Sequence, residues 1–247
     1  MNEINKFDKS KLHYYLKGLQ EHPKYIYSKD EANYLEQFIK NKYGEYTSVY
    51  HELYSPDIHL DILIVPPSKK DNYYKLITKG MGAYKMNVPS IINNKGYDRA
   101  ELVMYLPPEW DFKNKDNNWI ISQLKVIART PIYENNWIGY GHTFSQSIDA
   151  SITYSSNTKL SDIILFKSYD NSNCENKLYM DTKGQINFYQ VFPIYREELE
   201  YAKLHGAESL EKLILGDYKK PIIDVSRKIF CINKNIEKEI DEIERDI

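Results

Sequence analysis

DIHLDILIV, residues 57–65, alternates without a break: Ile58, Leu60, Ile62 and Ile64 fall on one side, and His59, Asp61, Leu63 and Val65 on the other. Pro66 and Pro67 then end the run. Period two is the spacing of a pleated strand, and proline cannot donate the next ladder bond, so a strand ending at Val65 is predicted. Upstream, Ser28 and Glu31 form a capping box ahead of Leu35, Phe38 and Ile39, predicting a helix over 28–43 that Gly44 stops. Downstream, ELVMYL (101–106) reads as a second strand closed by prolines, and 118–129 as a helix burying Ile120, Leu124, Ile127 and Ala128, with Pro131 beyond its end. DIILFK (162–167) and INFYQVF (186–192) read as further strands, and 196–215 as helical with a break near Gly206. The polar stretch from Ser145 to Thr158 reads as an exposed loop.

Strands and helices interleave without regular alternation, and no linker rich in Gly, Ser or Pro divides them. One α+β domain over residues 1–218 is therefore expected, followed by a C-terminal helical extension over 219–247. In that extension Ile232, Ile236, Ile240, Ile243 and Ile247 recur at helical spacing. The stripe has three uses, packing on its own domain, a dimer seam or a docking helix, so monomer and homodimer both stand.

Composition excludes several classes. At 42% hydrophobic and 28% charged, the 247-residue chain is that of an ordinary globular protein. MNEINKF carries no basic leader with an apolar core, and no run approaches the roughly 18 apolar residues of a spanning helix, so a cytoplasmic protein is expected. A net charge of -2 leaves no excess to neutralise phosphates, which argues against direct nucleic-acid binding. Cys174 and Cys231 lack metal or disulfide spacing. The 23 tyrosines fit either an interface or a compositional bias.

Among candidate chemistries, His59 and Asp61 stand two apart on a strand and share a face, with His51 across a turn at Ser55 and Pro56. Were His142 to join them, three imidazoles and a carboxylate could hold a divalent metal or share proton transfer. The spacing is not HExxH, and the favoured expectation is no metal, no cofactor and no catalytic residue, with Asp61 orienting His59 in a hydrogen-bond network beside a groove. TKGMGAYKM (78–86) lacks the third glycine and the GK[ST] of phosphate loops, so Gly80 and Gly82 point to a tight turn or close backbone approach. GYGHTF (139–144) is no nucleophile elbow, and Gly139 and Gly141 would display Tyr140 and His142 from a sharp bend. Trp110, Trp119 and Trp137 are expected in the core.

Taken in order, HELYSPDIHLDILIVPP, LITKGMGAYKMNVP, DRAELVMYLPPEWD, WIGYGHTF and INFYQVFPIYREELEYAKLHGAESLEKLI resemble the successive blocks of the suppressor-of-fused domain family. The resemblance implies a mixed, mainly antiparallel sheet covered by helices, and a binding activity without a known reaction. In the animal members a second, C-terminal domain joins this one, and together they clamp a transcription-factor peptide partly by strand addition. This chain, with no room for that domain, resembles the stand-alone bacterial branch. The implied role is that of an immunity protein neutralising a secreted polymorphic toxin, nucleases included. A regulatory module sequestering an endogenous protein is the alternative, and a metal-dependent hydrolase on His51, His59, Asp61 and His142 a third reading. The family blocks carry over His51, Glu52, Ser55, His59, Asp61, Thr78, Gly80, Met81, Gly82, Tyr84, Glu101, Gly139, Tyr140, Gly141 and His142, as partner-binding surface or as shared framework.

Overall fold

Alternation along residues 58–64 survives folding because both sides of this strand are covered. Ile58, Leu60, Ile62 and Ile64 enter one core layer, while Leu63 and Val65 enter another on the opposite face. The computed structural model describes residues 23–52, 55, 57–92, 95–169, 174–216 and 222–231. Its strands are β1 (Ser48–Tyr50), β2 (Asp61–Val65), β3 (Tyr74–Lys79), β4 (Ala100–Leu106), β5 (Thr143–Ser145), β6 (Asp162–Lys167), β7 (Lys177–Met180) and β8 (Gly184–Ile194). They form one sheet in the order β1-β2-β3-β4-β8-β6-β5, with β7 pairing the first half of β8. The β4–β8 pair is parallel and the other ladders are antiparallel, so the sheet is mixed and mainly antiparallel. The predicted strand at 57–65 starts late: its ladder begins at Asp61, and Ile58 instead makes an isolated parallel bridge to Tyr25.

Helices α1 (Lys29–Tyr43), α2 (Trp119–Tyr133), α3 (Arg196–His205) and α4 (Ala207–Leu215) cover the sheet. On one face α2 sets Ile120, Leu124 and Ile127 against Leu60, Ile62, Leu102, Leu165 and Val191. The other face is shared. Leu35, Ile39 and Tyr43 of α1 pack on Leu63, Val65, Val103 and Phe188, whereas Leu199 and Ala202 of α3 and Leu210 and Ile214 of α4 pack on Ile164, Phe166, Phe192 and Ile194. Between these two patches lies a buried polar seam, where Ser168 Oγ stands 3.0 Å from the hydroxyls of both Tyr43 and Tyr105. No helix among the described residues is long and apolar enough to cross a membrane.

Local signals hold, with corrections. The capping box at Ser28 is formed, Gly44 closes α1, and Gly206 (φ +87°) separates α3 from α4. Helix α2, however, runs through Pro131 to Tyr133 instead of ending at Arg129. Proline in a last turn forfeits a single N–H bond, and Glu134 N–H still bonds to Thr130 O at 3.0 Å before Asn135 (φ +48°) turns the chain. The loop after β5 is exposed as expected but pinned at Tyr154, whose ring stacks on Trp119 at 5.0 Å. Trp110 and Trp119 are core, while Trp137 is half-buried.

A further correction concerns the C-terminal extension. Residues 222–231 form turns and extended chain instead of helix, because Asp224 caps Ser226 N–H at 2.8 Å and Ile223 N–H is taken by Tyr105 O at 2.9 Å. Arg227 then forks onto buried Glu198 with two 2.6 Å bonds and lies against the rings of Phe192, Tyr195 and Phe230. The isoleucine stripe at 232–247 lies outside the described residues.

Removing one partner of a buried ion pair strands the other, so Arg227→Ala should cost about 3–5 kcal/mol in urea unfolding. A loss below roughly 1 kcal/mol would mean that residues 222–231 are not an integral part of the core.

Candidate functional site

Family-block residues gather at two opposite parts of the sheet. The first is built around Glu101, the second residue of β4, whose side chain is fully buried. Its Oε1 accepts from Tyr27 Oη, Gly80 N–H and Gly82 N–H, all at 3.0 Å, and its Oε2 accepts from Thr78 Oγ1 at 2.6 Å. Thr78 Oγ1 in turn accepts from Leu102 N–H at 2.7 Å. Burial pushes the Glu101 carboxyl above its ordinary pKa, against the opposing pull of these donors. The glycines are required by close approach. A Cβ on Gly80 (φ +136°) would stand 1.9 Å from His59 O, and one on Gly82 would stand 2.3 Å from Tyr27 Oη. Met81 between them enters the core, and Tyr84 sets its ring 4.9 Å from that of Tyr25, edge to face.

Gly80 abuts the chain leading into β2, where the polar cluster sits. Asp61 is buried, with His51 Nδ1 at 3.1 Å, His59 Nε2 at 3.5 Å and Lys79 Nζ at 3.4 Å from its carboxylate. Ser55 Oγ lies 3.4 Å from His59 Nδ1 but donates its proton to Glu52 at 2.8 Å, so the hydroxyl is not aligned as a nucleophile with the imidazole as base. Arg129, at the end of α2, binds Glu52, Asp57 and the carbonyl of Ile58, and thereby ties these residues to the helix. Sequence reasoning did not single out Arg129. The available signal was a guanidinium directly following the buried Ile127–Ala128 pair, a position that needs a carboxylate partner.

His142 does not join this cluster. It precedes β5 at the far edge of the sheet, five strand spacings from β2, roughly 24 Å. The proposed three-imidazole site is therefore not formed, and among the described residues no group of three or more His, Cys, Asp or Glu converges as metal ligands.

At that far edge, Gly139–His142 is the sharp bend expected. Gly141 (φ +81°) donates to Leu165 O at 2.8 Å, and a Cβ there would stand 3.1 Å from Ala207 Cβ. Tyr140 donates to Glu211 Oε2 on α4 at 2.7 Å, while His142 packs edge-on against Trp137 at 4.5 Å. Burial lowers the His142 pKa. His142 O accepts from Leu165 N–H of β6 and Gln146 N–H donates to Ser161 O just before it, so the alternating antiparallel ladder turns the N–H and C=O of Thr143 and Ser145 outward, where no other strand among the described residues pairs with them. Beside this open edge lies a groove of about 730 Å³, walled by Val126, Ile127 and Thr130 of α2 and by Trp137, Phe144 and Tyr154. Val126 is 58% exposed along it.

The suppressor of fused protein (SUFU) model matches residues 56–228. An uncharacterized protein of Ureaplasma parvum serovar 3 is 31% identical over 212 residues, covering 83% of this chain and 98% of its own. Among solved structures, a SUFU homologue from Neisseria gonorrhoeae FA 1090 superposes with a TM-score of 0.57 at 14% identity, over 83% of this chain and 100% of that one. The Sufu-Fu complex gives 0.56 at 14% identity, over 81% and 90%.

Two outcomes follow from this geometry. Gly82→Ala should destabilise by about 1–3 kcal/mol through overlap with Tyr27 Oη. Adding Tyr27→Phe, which alone forfeits a hydrogen bond worth about 1 kcal/mol, should recover part of that loss, whereas strictly additive losses in chemical unfolding would contradict the contact. Because the folded His142 pKa lies below its unfolded value, the unfolded chain takes up the proton first as pH falls. Stability contributed above the unfolded value, about pH 6.5, should thus decline below it, and His142→Asn should flatten that slope in a pH series of melting curves; an unchanged slope would refute the assignment.

Proposed function

The chain belongs to the suppressor of fused protein family, and on that premise we propose that it works by binding another protein, taking an extended segment of its partner as an added strand along β5. The observation that carries this reading is a single coincidence of place. The outward backbone groups of Thr143 and Ser145 border the groove walled by Val126, Ile127, Phe144 and Tyr154. Main-chain bonds to such an edge supply affinity, and alternate side chains dropping into a groove supply selectivity. That a neighbour of the same fold was solved as the Sufu-Fu complex supports a protein partner.

We read that partner as a toxin domain and this chain as its cytoplasmic immunity protein, acting by occlusion, without cofactor or catalysis. Its bacterial company supports this, since the chain spans 98% of the Ureaplasma protein and 100% of the Neisseria one. Blocking an enzyme requires a preformed complementary surface and no chemistry, which a rigid edge and groove provide. The complex with Fu favours a second reading, in which an endogenous protein is sequestered on the same edge.

Affinity capture of the tagged chain from its native host, followed by mass spectrometry, separates the readings. A toxin domain supports immunity, an endogenous regulator the second reading, and failure to retain any co-expressed candidate contradicts both. Ser145→Pro removes only an outward N–H, so it should leave the melting temperature near that of the parent while weakening partner capture at least about tenfold. Undiminished capture would exclude strand addition at β5.

A further inference from the structure

On the other side of the Glu134–Asn136 ridge lies a second depression, of about 690 Å³, whose walls include Tyr25, Tyr84, Lys85, Arg99, Asn135 and Lys183. Its walls are fixed. Met86 N–H bonds to Asp98 O at 2.8 Å and Asn87 Nδ2 to Asn135 O at 3.1 Å, tying the 84–88 loop to the strand entry and to the end of α2. Arg99 is held by the turn that Glu101 organises, its Nη1 donating to the carbonyls of Gly82 and Ala83 at 2.8 Å each. Glu101 thus takes up the N–H groups of the glycine turn, while Arg99 takes up its carbonyls.

What distinguishes Arg99 is the absence of a counterion. Among the described residues no carboxylate lies within ion-pair distance of it, and its Nε has no hydrogen-bond partner. The two lysines of the depression are already neutralised, Lys85 by Asp98 at 3.4 Å and Lys183 by Glu31 at 3.7 Å. Nη1 is engaged by the two carbonyls and Nε is buried, which leaves Nη2 of the guanidinium to meet an incoming carboxylate. Partial burial lowers the Arg99 pKa, against the opposing pull of the Asp98 and Glu31 carboxylates.

We propose that Arg99 is the anchor of a carboxylate-binding site, which receives an acidic side chain of the protein partner while the Tyr84 and Tyr25 rings flank it. This rests on the protein-binding reading but uses a separate surface. Since the β5 groove and this depression share the ridge at the end of α2, one extended segment can occupy the groove and place an aspartate or glutamate over Arg99.

The test is an NMR titration of the ¹⁵N-labelled full chain with capped Ac-Ala-Glu-Ala-NH₂, its Gln counterpart and inorganic phosphate, at constant ionic strength. The glutamate peptide should move the Arg99 Nε–H and Tyr84 amide signals saturably and the glutamine peptide should not. Arg99→Lys should weaken the effect about tenfold, because the planar group that the two carbonyls orient is lost although the charge is kept. Lys183→Glu, which leaves Arg99 and its turn in place, should also weaken it. Equal shifts with both peptides, no saturable shift, or glutamate binding undiminished in either variant would overturn the site. Saturation by phosphate alone would overturn its assignment to carboxylates. Ser145→Pro should leave these shifts unchanged, so a failed titration and a failed β5 reading remain distinguishable.

Discussion

A carboxylate sealed inside the protein must have its oxygens satisfied, and that requirement at Glu101 organises the rest of the structure. Its four donors come from the segment before α1, the end of β3 and the turn after it, so one side chain joins three pieces of chain to β4. Leaving such a group without partners would cost several kcal/mol, which makes the arrangement all-or-none. The donors can converge only if the turn carries no Cβ at Gly80 or Gly82. The same turn then seats against His59 and Leu60, which aligns the chain entering β2, and presents two carbonyls to Arg99. Framework and candidate surface are therefore one covalent neighbourhood.

The sheet separates its tasks by distance. Around β2, β3 and β4, buried charge is matched by charge: Arg129 with Glu52 and Asp57, and Asp61 with Lys79, two imidazoles lying beside it. Those groups spend their hydrogen-bonding capacity on one another, which suits a scaffold. At the β5 edge the opposite holds, since Thr143 and Ser145 turn backbone groups outward beside an apolar groove. Unpaired edges are hazardous, and this one is kept to a three-residue strand with polar Thr143 and Ser145 exposed.

Much of this was legible in the sequence, for reasons that differ by residue. Period-two alternation at 58–64 and the Ser28 capping box are local signals: the helix start folded as read and the strand kept its two faces, although its ladder begins only at Asp61. The Gly80–Gly82 spacing announced a close approach but not its object, because the object is His59, some twenty residues away, and Tyr27, more than fifty away. Long-range pairs such as Arg129 with Glu52 and Arg227 with Glu198 leave no periodic trace, since an isolated charge reads as solvated until its partner is known. Proline was overread: at 131 it ends nothing, since so near the end of the helix it forfeits only its own N–H bond. The three-imidazole site failed because sequence spacing carries no information on strand order, and β2 and β5 lie far apart in it.

Strand addition at β5 is the central claim, and amide hydrogen exchange of the chain with and without its captured partner tests it most directly. The account predicts that the Thr143 and Ser145 amides, open in the free protein, become strongly protected in the complex, while Phe144, already bonded to β6, changes little. Protection confined to other surfaces, with Thr143 and Ser145 exchanging as fast as before, would contradict it.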